Sequence, residues 1–283
     1  IRGETSLTLD EVITLCRHYK LSFDTFSSST TGSVTFSYSP MGTGDTSLEK
    51  YLTGIVRDLQ NVEKFENRHI VFAAEDIPLF HYFKFPTLTA FKFFYWQKAI
   101  IGVPELEHKK FDTAEIPQKL IDCAGEILKA YCNIPSTEIW TEDTILSAIK
   151  QIEFFWDAGF FKNKEDAVVV VEELSQMTSR ILRQATLTKK FVDENKAQAP
   201  AGSFAMYQSD VMIASNTIFV TMGDVKATYL SFNTFNSMIT TNTVFCTETD
   251  FWIKNLLKKS NQISGVSEKQ RNMFFSKLEQ HID

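Results

Sequence analysis

The sequence has no methionine before Met41 and no lysine- and arginine-rich start leading into an apolar stretch with a small-residue cleavage site. A secretory signal is therefore not expected, and the abrupt Ile1 reads as the continuation of a preceding segment. No run approaches the ~20 apolar residues that a bilayer span requires. Lys84, Lys92 and Lys98 interrupt the most apolar region, so no membrane partner is expected. The four cysteines, Cys16, Cys123, Cys132 and Cys246, are scattered without a C-x-x-C pair. They read as reduced thiols of a cytoplasmic protein rather than a disulfide framework. His18, His69, His81, His108 and His281 lack the spacing that gathers metal ligands, so neither a metal nor a cofactor is expected. A basic surplus is also missing. The net charge is −6, and residues 27–253 carry 20 basic against 28 acidic groups, a balance that repels a phosphate backbone.

What is present is core material. In 283 residues, 43% hydrophobic and 13% aromatic content supply one large domain or two modest ones. Thr8 and Glu11 stand at capping-box spacing, and Leu9, Val12, Ile13, Cys16 and Tyr19 follow as one apolar helical stripe. The polar run "SSSTTGS", residues 27–33, has linker composition and marks a boundary. Val34, Phe36 and Tyr38 alternate as in a strand. Thr46 and Glu49 open a helix over residues 47–65, and "FPTLTAFKFFYWQKAI" reads as a central helix, apolar almost all round. Further helices are expected over 117–131, 141–157 and 164–188, with Gly159 ending the second in a left-handed cap. Residues 203–213, 217–222 and 225–231 read as a three-stranded antiparallel meander turning at Gly223-Asp224, followed by helices over 247–259 and 267–281. The expected class is α+β, mainly α, with a small antiparallel β-meander.

The stretch "RGETSLTLDEVITLCRHYKLSFDTF" resembles the last part of the Cro/C1-type (XRE-like) helix-turn-helix domain. Leu7, Thr8, Leu9 and Glu11 match the opening of that family's fourth helix, and Leu21, Ser22, Phe23 and Asp24 match the turn before its fifth. The segments "AAEDIPLFHYFKFPTLTAFKFFYWQKAI", "NIPSTEIW", "QIEFFWDAGFF" and "KKSNQISGVSEKQRNMFF" look like the large region attached to such heads in bacterial transcription regulators. The resemblance implies a helix-turn-helix remnant over residues 1–26, with Arg2 at the end of the recognition helix as its DNA-contacting residue. It further implies that the first two helices and most of the third precede Ile1. Residues 34–283 are then a regulatory or dimerising body. The implied function is DNA-binding transcription regulation as a homodimer, without enzymatic activity, with a small-molecule effector as an open alternative.

Other motifs yield no chemistry. "GTGD" at residues 42–45 lacks the third glycine and the lysine of a phosphate loop, and Ser47-x-x-Lys50 lacks the companion motifs of penicillin-recognising enzymes. Adjacent Glu75 and Asp76 read as charges at a helix N-terminus. The aromatic tract over residues 80–96 has two readings: core, or a ligand pocket with His81, Tyr82, Tyr95 and Trp96 at its polar points. The alternatives to a regulator are thus a small-molecule-binding or enzymatic domain sited in that tract, and a protein-interaction scaffold. Lys254, Lys258, Lys259, Lys269 and Arg271 form a basic cluster whose default is a solvated helix face.

Overall fold

The strands of residues 34–283 join one mixed sheet. The computed structural model describes residues 6–19, 33–41, 47–195, 203–233 and 235–282. Arg2, the 21–26 turn, nearly all of the 27–33 linker, "GTGD" and Thr46 lie outside these residues. Among the described residues the eight strands are β1 (Ser37–Tyr38), β2 (Arg68–Ala74), β3 (Ser136–Trp140), β4 (Phe204–Ser209), β5 (Thr217–Met222), β6 (Val225–Phe232), β7 (Asn236–Thr240) and β8 (Ser260–Gln262). Their spatial order is β1-β7-β6-β5-β2-β3-β4-β8. Strands β2, β3 and β4 are mutually parallel; every other pairing is antiparallel. The helices are α1 (Leu9–Tyr19), α2 (Ser47–Glu63), α3 (Pro86–Tyr95), α4 (Gln118–Asn133), α5 (Leu146–Asp157), α6 (Lys164–Leu187), α7 (Thr243–Lys258) and α8 (Glu268–Ile282). The class is α+β with helix predominating.

Alternation along the strands sorts side chains to two cores. Ile70, Phe72, Ala74, Trp140, Met206 and Val220 enter the larger core, which also holds the buried faces of α2, α3, α4, α6 and α8. Ala73, Ile139 and Phe219 point the other way and pack with Cys246, Ile253 and Leu256 of α7. Long helix-bearing connections are what parallel strands demand, and α3–α4 and α5–α6 supply them between β2, β3 and β4.

The expected helices occur within a few residues of their places. The reciprocal Thr8–Glu11 cap forms, with Thr8 N donating to Glu11 Oε2 at 2.8 Å and Glu11 N to Thr8 Oγ1 at 3.4 Å. Gly159 is left-handed at φ 65°, directly after α5 and Ala158. Gly223 turns the β5–β6 hairpin at φ 60°.

Three readings are corrected. The meander is β5-β6-β7, because β2 and β3 lie between β4 and β5. The all-round apolar helix is two segments: α3, then a π-helical turn over Trp96–Ile101 that ends at left-handed Gly102. Arg271 leaves the solvated basic cluster; it is buried, and its Nη1 donates to the carbonyls of Ile263 and Gly265 at 3.1 and 3.0 Å.

Candidate functional site

Three polar constellations lie between the helices and the sheet, and two of them border open space. The first surrounds Glu138, fully buried in the middle of parallel strand β3. Its carboxylate accepts from His81 Nε2 at 2.9 Å, Trp140 Nε1 at 2.9 Å and the Tyr131 hydroxyl at 2.5 Å. Burial alone would raise this carboxyl, but the His81 charge and hydrogen bond and the Tyr131 hydroxyl outweigh it and hold it below the usual range. Beneath it, Lys190 Nζ donates to the carbonyls of Tyr131 and Ile134 at 2.5 and 2.7 Å and stands 3.4 Å over the Tyr131 ring. Burial pushes its ammonium down to about 7. Every Glu138 donor is another core residue, so the cluster fastens α4, the 79–84 turn and β3 together.

The second constellation borders a cavity of about 560 Å³ between α2 and the sheet. The α2 stripe Leu48, Leu52, Val56, Leu59 and Val62 is buried, as its spacing requires. The adjoining positions Tyr51, Gly54, Ile55 and Asp58 line the cavity, together with Leu59 and Val62 of the stripe. Across from them stand Ile70 of β2, Ile218 and Val220 of β5, Tyr229 of β6 and Ile239 of β7. Segment 39–41, which follows β1, forms another wall, and exposed Ser39, Pro40, Lys50 and Arg57 mark the mouth.

The walls are mostly apolar, with polar groups converging at one place. The Tyr51 hydroxyl donates to the Phe235 carbonyl. Burial holds the Asp58 carboxyl above its usual range, opposed by Arg57 at 3.8 Å. Burial and the Asp58 charge push the Tyr229 hydroxyl up to about 12. Gly54 stands in the middle of α2, where glycine costs about 0.8–1.0 kcal/mol relative to alanine. A Cβ there would meet nothing within 4 Å, so the missing side chain widens the cavity rather than relieving a clash.

Leu79, Ile218 and Ser237 also line a second, smaller space of about 30 Å³. Asp76, Tyr82, Lys92 and Trp96 bound this recess. Asp76 Oδ1 accepts from the Ile77 amide at 2.8 Å and the Tyr82 hydroxyl at 3.4 Å. Lys92, 1% exposed, donates to Gln151 Oε1 at 2.7 Å and lies 4.4 Å over the Tyr82 ring. The Trp96 Nε1–H is buried with no partner among the described residues.

The four aromatic-tract residues singled out from sequence thus go to three places. His81 belongs to the Glu138 cluster, Tyr82 and Trp96 line the recess, and half-buried Tyr95 packs against Phe155 with ring centroids 5.5 Å apart. None of them lines the larger cavity. Glu75 and Asp76 do lie at the start of a turn, but Asn216 Oδ1 from across the sheet accepts from their amides at 2.8 and 2.9 Å. Sequence reasoning missed Gly54, Asp58, Tyr229 and Lys92. A glycine amid a helical apolar stripe and a lysine on a helix apolar all round were the available signals. Among the described residues no group of His, Cys, Asp and Glu could hold a metal, and no helix is long and apolar enough to cross a membrane. No family model, curated protein or solved structure matches the chain.

Proposed function

We propose that residues 34–283 are the ligand-binding body of a DNA-binding transcription regulator, and that the cavity between α2 and the sheet senses a small, mostly apolar molecule. The observation that carries the sensing half is the cavity itself: its size lies in the range of small-molecule sites, its walls are apolar, and a few polar groups converge in it. Its wall over residues 39–41 supports coupling, because this segment lies near the N-terminal start of the body, directly after β1, on the side of the part that resembles a helix-turn-helix head. A ligand that touches both α2 and residues 39–41 stabilises the arrangement of the two and thereby biases whatever is attached upstream. The DNA-binding half rests on the resemblance of residues 2–26.

A thermal-shift screen of metabolites tests the sensing reading. A ligand of the cavity raises the melting temperature with the logarithm of its concentration. Gly54→Phe, which fills the cavity from a position with open space, abolishes the shift. A shift that survives Gly54→Phe places the ligand elsewhere and removes the cavity from the account.

Homodimerisation is a second component of the reading. It is favoured by Phe154, Trp156, Val168 and Val169, large apolar side chains exposed on α5 and α6. Light scattering of Trp156→Glu against the parent chain tests it, with loss of dimer as the expected result.

A further inference from the structure

We propose that the recess bounded by Asp76, Tyr82, Lys92 and Trp96 is the recognition end of the ligand site, and that it takes a hydroxyl group terminating an otherwise apolar ligand. The inference rests on the reading of the larger cavity given above. Its first support is an unsatisfied donor: Trp96, 2% exposed, lines the recess, and its buried Nε1–H has no hydrogen-bond partner among the described residues. Leaving such a group unpaired is unfavourable, so the site favours any occupant that supplies an acceptor. The second support is Lys92, which has three donors and uses one on Gln151. The third is Asp76, whose Oδ1 is engaged twice while its Oδ2 accepts no hydrogen bond among the described residues.

The residues that carry these donors and this acceptor therefore border one space of about 30 Å³, large enough for a single water-sized group. A hydroxyl fits this set: it gives its proton to the carboxylate and accepts from the indole or the ammonium. A carboxylate brings two oxygens into room for one and sets its charge against Asp76. An ammonium offers no acceptor and sets its charge against Lys92. Leu79, Ile218 and Ser237 line both spaces, so the recess adjoins the larger cavity at these side chains, where the end of an apolar chain held in that cavity would meet it. The π-helical turn begins at Trp96 itself and presents the indole at the end of α3, and such turns are frequent at functional sites.

Decanol, decanoate and decylamine share one apolar chain and differ at the end group, which makes them suitable calorimetric probes of the full chain. Decanol is expected to bind tightest, by about tenfold over the other two. Trp96→Phe keeps the aromatic volume and removes the donor; it is expected to cut decanol affinity about three- to tenfold while leaving decanoate unchanged. Gly54→Phe abolishes binding of all three. Equal affinity for the three probes, or a Trp96→Phe protein that folds and binds decanol as well as the parent, overturns the hydroxyl assignment while leaving the cavity reading intact. Binding that ignores Gly54→Phe, or no binding by any probe, overturns both. Should Trp96→Phe fail to fold, the affinity order in the unsubstituted chain decides.

Discussion

At Gly54, stability and function are set against each other in a way a substitution can separate. A methyl group there meets open space, so Gly54→Ala is expected to stabilise the fold by about 0.5–1 kcal/mol through helix propensity alone, read from chemical denaturation. A loss of stability would show that α2 needs the glycine for packing. Asp58 behaves similarly. Its folded carboxyl is held above the unfolded value, so the folded state binds the proton more readily and the chain loses stability as pH rises through the carboxylate range. The penalty is fully present at pH 7. Asp58→Asn should therefore melt higher than the parent at neutral pH, by an amount worth at most about 1 kcal/mol because the group is half exposed. The gap should close in acid. Lys190 carries the opposite sign. Its ammonium titrates near 7 in the folded state and in the ordinary lysine range when unfolded, so the unfolded chain holds the extra proton between them. The stability of the parent relative to Lys190→Met should rise as pH climbs from about 7 towards about 10. A flat difference would mean that Lys190 is not held in the buried position between the Tyr131 and Ile134 carbonyls.

Among elements, the hidden strands explain what sequence could and could not reveal. Helices α2, α4, α6 and α8 carry a 3.6-residue stripe, and β5 and β6 flank a glycine turn, so each is legible from spacing. Strand β2, "RHIVFAA", lies at the centre with helices on both faces and shows a nearly continuous apolar run instead of alternation. Strand β3, "STEIW", is buried throughout yet begins with three polar residues. Glu138 is tolerated there only because Trp140 of the same strand, Tyr131 of α4 and His81 of the 79–84 turn all donate to it, and the two contacts from other elements have no local signature. The same applies to the site. Tyr82 and Trp96 could be picked out as polar-tipped aromatics, whereas the cavity depends on the approach of α2 to β5, β6 and β7. Replacing Glu138 by Leu leaves three buried donors without their acceptor and is expected to destabilise the chain by about 3–5 kcal/mol in denaturant titration. A change under about 1 kcal/mol would deny the cluster its fastening role. Helix α1 is the contrasting case: Leu9 is 61% exposed and Val12 and Ile13 only half-buried. Its amides should exchange with solvent more readily than those of α3, whose Leu88, Phe91 and Phe93 are enclosed.

At the scale of the whole molecule, the charge and the cavity point in compatible directions for a sensing body. A net charge of −6 offers little to a phosphate backbone, so this chain should show weak, salt-sensitive affinity for DNA in fluorescence anisotropy. Tight and sequence-specific binding by it would place the DNA-reading surface in the body and reverse the proposed division of labour. The central claim, that the space between α2 and the sheet is a ligand site, is most directly tested by hydrogen exchange with and without decanol, in the parent chain and in Gly54→Phe. Added protection over residues 39–41, 47–63 and 236–240 in the parent, absent from Gly54→Phe, is the predicted result. Protection confined to other elements, or identical in the two chains, would contradict it.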